Sequence, residues 1–212
     1  MIYNDTLLCL IHSHNPDHYF KPGKQHNYCN TNYMLLASII ESIENKRYPA
    51  VVKERIFNPC KMYDSFVLDI KEDSLPINLV LGHNLRGEIF QFDYLDGIVG
   101  DKGVFSNAKD LFKFDRFLSA CGILSDSLVQ LAHSPHNEIK QNASYGYGRR
   151  LRFHDNLGKI VYHTGWWHGN RNLYFKIPNS DYTVIMISNA LKGSLYNLNE
   201  LLEVFDFKEE AI

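Results

Sequence analysis

The sequence lacks any marked excess of one charge. Its 22 basic and 24 acidic residues leave a formal net charge of −2 over 212 residues, and like charges never form a run of five or more. A surface that binds nucleic acid or an anionic membrane needs lysine and arginine to be concentrated in this way. The composition therefore argues against both partners and favours a small molecule or a peptide as the ligand.

Long apolar segments are also absent. The longest runs, such as Leu7 to Ile11 and Val184 to Ile187, are far shorter than the roughly 20 residues that span a bilayer. The first residues carry no basic segment and no small-residue cleavage site. We therefore expect neither a membrane span nor a secretory signal peptide, and the cellular compartment stays open.

Cysteine is scarce, and its four copies are too widely spaced for a C-x-x-C motif or a dense disulfide framework, so we expect free thiols. Ten histidines are present, but those near the start of the chain fit no zinc-ligand spacing. The sequence thus predicts no metal and no cofactor. The cysteines are Cys9, Cys29, Cys60 and Cys121, and the clustered histidines are His12, His14, His18 and His26.

The first part of the chain is predicted to be helical and rich in loops. A short helix precedes a turn at Phe20 to Gly23. Apolar residues at helical spacing then predict a helix just after Tyr28, with Asn30 or Thr31 as its N-cap. Residues 96–103 contain three glycines and predict an irregular loop. Further helices are predicted over residues 48–57, 107–120 (capped by Ser106) and 125–132.

The second part is predicted to form an antiparallel sheet. Residues 149–153 and 159–163 form a hairpin pattern, and 172–177 and 182–188 follow as strands. The last of these is apolar on both faces, which predicts a central strand covered by helices. An apolar stripe over residues 194–205 predicts a terminal helix; its members are Leu195, Leu198, Leu201, Leu202 and Phe205.

Together these elements predict one α+β domain over residues 1–212. A helical and loop-rich lobe, residues 1–145, precedes an antiparallel sheet closed by a C-terminal helix, residues 146–212. A sheet of three or four strands with a single covering helix would expose apolar surface. We therefore expect a missing N-terminal segment, a second copy of the chain or a swapped element to cover it.

A polar triplet, His163-Thr164-Gly165, interrupts the apolar strand that begins near Lys159. Because two further strand-like runs follow, we expect the triplet at a sheet edge that faces a cleft. An ordinary strand-end histidine is the other interpretation of His163. Trp166 and Trp167 follow the triplet, and they fit an apolar substrate wall and simple packing over the sheet edge equally well.

Three segments occur in a fixed order along the chain. They are F-K-P-G-K through Y-C-N (Phe20 to Asn30), V-G-D-K-G-V-F-S-N-A-K-D-L (Val99 to Leu111), and Y-G-Y-G (Tyr145 to Gly148) followed by H-T-G and I-S-N. At these intervals they resemble the serine β-lactamase and penicillin-binding protein family, in particular its class C and esterase-like branch. The resemblance implies a β-lactamase/transpeptidase-like fold, incomplete here, of which this chain carries the C-terminal portion.

The resemblance also implies chemistry, namely acyl transfer through a serine ester. Carried over to this sequence, Tyr28 is the general acid/base and Asn30 is an amide that faces the substrate. A packing tyrosine at a helix entrance is the other interpretation of Tyr28. Cys29 lies beside it, but nothing in the sequence lowers the pKa of that thiol, so we do not expect a catalytic cysteine.

The H-T-G segment implies the opposite wall of the cleft. His163 and Thr164 would orient the substrate or its carboxylate, Gly165 would let the substrate approach the backbone, and Trp166 would contact it. A tyrosine with a pKa near 10 acts as a base only where cations lower that pKa. His163 is a weaker substitute for lysine in that role.

The nucleophile that the family resemblance implies is missing. A Ser-x-x-Lys pair should precede Tyr28, but Ser13 is the only serine there and Pro16 stands at the lysine position. The formal match Ser106 to Lys109 lies in the helix-capping segment, so we interpret it as a cap and a solvated lysine.

We predict a β-lactamase-like serine hydrolase that acts on an ester, an amide or a D-amino-acid peptide, with a chain that is inactive alone. The alternative is a non-catalytic binding module that retains the fold. Members of the family often act outside the cytoplasm, and the sequence does not specify the substrate.

Overall fold

The computed structural model describes residues 1–71, 75–76, 79–120, 122–137, 140–180, 182–191 and 197–209, with the backbone alone for residues 206–209. The chain divides into two compact units. The first contains residues 1–80 and 91–114, and the second contains residues 81–90 and 115–212. The predicted lobe boundary at residue 145 lies inside the second unit.

The first unit is mainly helical, as predicted. Its helices pack around buried side chains such as Met34, Ala37, Val52 and Phe57. Two short strands, β1 (Phe66–Val67) and β2 (Val104–Phe105), pair antiparallel to each other. The elements are α1 (Asn4–His14), α2 (Asn30–Glu44), α3 (Tyr48–Val52) continued by a π-helical turn (Lys53–Phe57), β1 (Phe66–Val67), β2 (Val104–Phe105) and the start of α4 (Ala108–Ser119).

The predicted cap of α2 is wrong. The helix begins at Asn30, and its N-cap is Cys29, which makes no side-chain capping hydrogen bond. Asn30 and Thr31 therefore already have helical backbone, where their side chains cannot take the capping position.

The predicted cap of α4 is also wrong by one residue. The side-chain oxygen of Asn107 accepts the hydrogen bond from the Asp110 amide at 2.8 Å, so Asn107 is the cap. Ser106 instead pairs its hydroxyl with that of Ser65 at 2.7 Å. In α5 (Asp126–Ala132), the cap is Ser125, which the sequence prediction had placed inside the helix.

The second unit contains a five-stranded antiparallel sheet in the order β3-β4-β5-β6-β7. This confirms the predicted α+β class but corrects two details. The sheet has five strands rather than three or four, and β7 lies at the edge of the described sheet. Successive hairpins add each strand beside the previous one, which places β5 at the centre. The strands are β3 (Ala143–Tyr145), β4 (Arg150–His154), β5 (Gly158–Trp167), β6 (Asn170–Ile177) and β7 (Tyr182–Ser188).

Helix α6 (Leu198–Glu209) covers one face of this sheet. Its Leu202 and Phe205 are buried against strand residues, and the rings of Phe175 and Phe205 stack with centroids 5.8 Å apart. The predicted terminal helix is thus confirmed. Leu195 of its predicted apolar stripe lies outside the described residues, and so does Cys121, one of the four cysteines. The cluster contains Leu157, Ile160, Leu173, Phe175, Ile177, Leu202 and Phe205. None of the helices in the described part of the chain is long and apolar enough to cross a membrane.

The other face of the sheet carries buried charge. The Lys176 ammonium lies 2.9 Å from Asp115 of α4, and both side chains are almost fully buried. Asp115 also accepts hydrogen bonds from the Tyr174 hydroxyl at 2.5 Å and from the Thr183 hydroxyl at 3.0 Å. The Ser119 hydroxyl accepts a further proton of Lys176 at 2.7 Å. The pair is therefore satisfied on both sides, as a buried ion pair requires.

A tight turn at His168 and Gly169 joins β5 to β6, with φ angles of 43° and 78°. The segment 81–90 runs directly beside this turn. The His83 amide donates to the Asn189 carbonyl at 2.7 Å, and the His83 carbonyl accepts from the Leu191 amide at 3.1 Å. A Cβ added at Gly169 would lie 2.6 Å from both the nitrogen and the oxygen of His83. Glycine at this position is thus required by the close approach of two backbones.

We expect Gly169→Ala to lower the free energy of unfolding by about 2 to 3 kcal/mol, since it adds a steric clash to a left-handed φ. Gly87 is a matched control because its φ is 83° and nothing lies within 4 Å of an added Cβ. Gly87→Ala should cost only about 1 kcal/mol. Urea denaturation of both variants measures the difference, and equal losses would contradict the packing argument.

Candidate active site

The H-T-G triplet does not end the strand, contrary to the sequence prediction. Strand β5 continues through it to Trp167, and each residue of the triplet pairs with a residue of β6. The register between β4 and β5 ends at the pair Arg150 and Tyr162. The triplet therefore lies on the part of β5 that extends past β4, alongside β6.

The strand geometry divides the triplet between the two faces of the sheet. Successive side chains in a strand alternate, so His163 and Gly165 share one face and Thr164 the other. Thr164 pairs with Leu173, whose side chain belongs to the cluster under α6. His163 pairs with Tyr174, which reaches Asp115 on the opposite face. The two residues predicted to orient the substrate together therefore point in opposite directions.

Trp166 lies on the α6 side of the sheet, where it pairs with Arg171. Its side chain is 57% exposed. Trp167 points to the other face and has its ring centroid 4.6 Å from that of His168. The two tryptophans thus do not form one continuous wall: Trp167 packs at the hairpin turn, and Trp166 presents an open aromatic surface.

His163 is a neutral hydrogen-bonding group. Its Nε2 lies 3.0 Å from the Tyr145 hydroxyl, and the two rings meet edge to face. Burial, and secondarily the charge of Arg150, lower the pKa of His163 to about 4. The imidazole is therefore uncharged at neutral pH, so it cannot supply the positive charge that was expected of it. This part of the predicted role is corrected.

Positive charge nonetheless lies close to this face. The Arg149 guanidinium lies over the ring of Tyr174, 4.5 Å from the ring centroid. Tyr174 is the direct cross-strand partner of His163. Burial and the hydrogen bond to Asp115 raise the pKa of Tyr174, so this tyrosine stays protonated. Sequence reasoning missed Arg149, although it directly follows the Y-G-Y-G segment.

Tyr28 and Asn30 lie in the first unit, whereas the triplet lies in the second. Tyr28 comes just before the N-cap of α2 and is 46% exposed. Asn30 is the first residue of the helix. Below them, Met34 and Ala37 bury the helix against the glycine-containing loop, where a Cβ at Gly100 would lie 2.5 Å from that of Ala37. Tyr28 is thus a half-exposed residue just before a firmly anchored helix.

The formal Ser-x-x-Lys match has the geometry of a helix start. Ser65 bridges Ser106 to the buried carboxylate of Asp110, donating to it at 2.9 Å. Lys109 is exposed. Lys113, rather than Lys109, neutralises Asp110, with 2.6 Å between the charged atoms. The described contacts of Ser106 are therefore those of a structural residue at the start of α4.

Comparison with known proteins gives a consistent result. The family model described as Beta-lactamase matches residues 6–203. The chain is similar to penicillin-binding protein 4* of Bacillus subtilis, with 29% identity over 91% of this chain and 46% of that protein. It is also similar to a D-aminopeptidase of Cereibacter sphaeroides, with 26% identity over 81% of this chain and 33% of that protein. The chain thus spans about half or less of the curated relatives it matches.

A solved structure shows the same fold. The penicillin-binding protein from Bacillus halodurans superimposes with a TM-score of 0.81 at 23% identity, covering 97% of this chain and 63% of that one. At this level of identity the likeness concerns the fold alone. It agrees with the β-lactamase/transpeptidase-like architecture that the order of motifs implied.

Proposed function

The chain belongs to the beta-lactamase family of serine hydrolases, and we propose that it supplies Tyr28 and the H-T-G triplet to a reaction that works through an acyl-serine. In this reaction a serine hydroxyl attacks an ester or amide carbonyl, and the alcohol or amine leaves. Water then hydrolyses the acyl-enzyme. The family match over residues 6–203 is the observation that carries the proposal.

The proposed substrate is an amide, ester or peptide of a D-amino acid. The similarity to a D-aminopeptidase supports this choice, since that relative is named for cleavage beside a D-residue. The near-zero net charge of the chain also fits a small or peptidic ligand.

Tyr28 is the proposed general acid/base. Its position just before α2 supports this role, because a group that transfers protons must be both accessible and reproducibly oriented. Asn30 follows on the first turn of the same helix and is proposed to bind the substrate through its amide.

On β5, Gly165 is proposed to let the substrate approach the strand, and the main chain of the triplet to orient it. A Cβ at Gly165 would meet Asn172 at 3.4 Å, so little besides the side chain of Asn172 crowds the backbone here. Thr164 and Trp166 are proposed to contact the substrate from the α6 side. His163 contributes as a neutral partner within the strand.

We further propose that the nucleophile comes from a Ser-x-x-Lys segment that these 212 residues do not include, or from a second polypeptide. Ser106 to Lys109 is the only such spacing in the sequence. Its serine is engaged by Ser65 and its lysine is exposed. The chain alone is therefore expected to be inactive.

A fluorescent penicillin and a fluorophosphonate test this proposal. We expect the 212-residue chain to remain unlabelled, and a protein translated with an upstream in-frame Ser-x-x-Lys segment to be labelled at that serine. Covalent labelling of the 212-residue chain would contradict the missing nucleophile. If the coding sequence contains no such segment, the non-catalytic binding module becomes the better explanation.

A further inference from the structure

We propose that Tyr145 is a positioning residue, which holds the ring of His163 in the tautomer protonated at Nδ1 and thereby fixes the main chain of the H-T-G triplet. This inference rests on the proposed function for its catalytic consequence, but its structural content can be tested independently. The Tyr145 hydroxyl and Nε2 of His163 are 3.0 Å apart, although the residues are 18 positions apart in the sequence.

Tyr145 is suited to this role because its backbone is held on several sides. It pairs with Arg150 in the ladder between β3 and β4. Its amide donates to the side-chain oxygen of Asn137 at 2.7 Å, and its carbonyl accepts from the His136 amide at 3.0 Å. The next residue, Gly146, lies so close to Ala132 that an added Cβ would be 2.1 Å from the carbonyl oxygen. The backbone of Tyr145 is therefore held firmly, and this fixes the position of its hydroxyl beside His163.

The contacts of the imidazole specify where its proton lies. His163 also forms a hydrogen bond with the backbone of Thr164, and we infer that the ring donates it to the Thr164 carbonyl. A neutral imidazole carries a single N–H. Because Nε2 faces the Tyr145 hydroxyl, the N–H donated to Thr164 belongs to Nδ1. Tyr145 must then donate its own proton to Nε2.

The surrounding groups favour this arrangement. Arg150 of β4 and Arg149, which directly precedes that strand, carry positive charge that opposes a second proton on the His163 ring. Tyr174, the cross-strand neighbour, already donates its hydroxyl proton to Asp115. Tyr145 is consequently the hydroxyl that the structure directs at Nε2.

A chain of contacts therefore connects the Y-G-Y-G segment to the backbone of β5. Tyr145 orients the ring of His163, the ring holds the Thr164 main chain, and Gly165 follows directly. In the proposed enzyme, Tyr145 does not touch the substrate and affects it only through these contacts. A loosened ring would allow the strand backbone to shift, and small shifts in a reacting pair cost substantial rate.

The test is the ¹⁵N spectrum of the imidazoles in the 212-residue chain at neutral pH. We expect His163 to give one protonated nitrogen assigned to Nδ1 and one unprotonated nitrogen assigned to Nε2. Tyr145→Phe should move the two signals toward each other. Without the Tyr145 hydroxyl as a donor to Nε2, the ring is no longer held in one tautomer, and each nitrogen signal becomes an average over both. Tyr147→Phe is the matched control, because Tyr147 lies in the same segment, is 61% exposed and stacks on His136. It should leave the His163 signals unchanged.

A proton on Nε2 in the unmodified protein would overturn the proposal, whether or not the variant folds. Unchanged His163 signals in a folded Tyr145→Phe variant would also overturn it. In the longer protein we expect Tyr145→Phe to slow acylation by on the order of 10-fold. If the tautomer is as expected but no acylation occurs in the unmodified longer protein, the proposed function fails and the positioning of His163 stands.

Discussion

Tyr28→Phe is expected to slow acylation by a fluorescent penicillin by about 100- to 10,000-fold in a protein that joins these residues to a Ser-x-x-Lys segment. The substitution removes only the hydroxyl, so it deletes proton transfer while keeping the ring. The rate of labelling under single-turnover conditions measures the effect directly, since it reports the chemical step rather than product release.

The position of Tyr28 allows a clean experiment. Its side chain is 46% exposed and precedes α2, so loss of the hydroxyl leaves the buried face of the helix unchanged. The free energy of unfolding should therefore change by less than about 0.5 kcal/mol, as for most surface substitutions. A large change in stability would mean that Tyr28 is a packing residue.

Tyr19→Phe is the matched control. Tyr19 lies in the loop that precedes α2 and is 90% exposed, and nothing assigns it a role in the reaction. Its variant should be labelled at the rate of the unmodified protein. Equal rates for the Tyr28 and Tyr19 variants would remove Tyr28 from the proposed mechanism and leave the lysine of the Ser-x-x-Lys segment as the base.

The helices could be predicted because their cause is local. Apolar residues at helical spacing predicted α2 correctly, and the short helix predicted over residues 125–132 corresponds to α5. The failures at Ser106 and Asn30 have a different origin. Several residues with short polar side chains adjoin each helix start, and only the backbone path decides whether one of them reaches a free amide, as Asn107 does at α4 and none does at α2. At α4, Ser65 is also a competing partner for Ser106, and it comes from 41 residues away.

The sheet shows a second limit of sequence reasoning. Strand β7 reads as apolar on both faces, which normally indicates a central strand, yet it lies at the edge of the described sheet. Strand order depends on how hairpins follow one another, and composition does not contain that information. The opposite orientations of His163 and Thr164, by contrast, follow from strand alternation once β5 is known to continue through the triplet.

The candidate site was predictable only as far as its motifs extend. Tyr28 and His163 stand out because each lies in a segment that resembles a known family. The neutral state of His163 depends on burial and on Arg150, and the positioning by Tyr145 depends on the pairing of β3 with β4. These are consequences of packing between segments, so the triplet alone suggested a cation where the structure has a neutral imidazole.

The buried ion pair provides the second large expected effect. Asp115→Ala should lower the free energy of unfolding by about 3 to 5 kcal/mol, because it leaves the Lys176 ammonium buried without its carboxylate. The Asp115 and Lys176 side chains are only 1% and 9% exposed, so water cannot readily replace the lost partner. Tyr174 and Thr183 lose their acceptor in the same substitution. Urea denaturation of the chain measures the loss.

Two variants separate this effect from a general loss of charge. Glu54→Ala breaks the exposed pair with Lys46, in which the Glu54 and Lys46 side chains are 53% and 47% exposed, and it should lower the free energy of unfolding far less than Asp115→Ala does. The double variant Asp115→Leu, Lys176→Met replaces both charges with apolar groups and should recover much of the stability lost in Asp115→Ala. A small loss in Asp115→Ala, comparable with that in Glu54→Ala, would show that the pair is not needed for folding.

The same pair determines how stability depends on pH. Burial alone would raise the pKa of Asp115, but the hydrogen bonds from Tyr174 and Lys176 and the charge of Lys176 outweigh it and hold the pKa below its ordinary value. A carboxylate whose pKa is lower in the folded state than in the unfolded state stabilises the fold above the unfolded pKa, which is about 4 for aspartate. This contribution disappears as the pH falls through the folded pKa. Asp115→Asn should therefore flatten the acid limb of the stability profile below about pH 4, whereas Glu54→Gln, at an exposed site, should alter it far less.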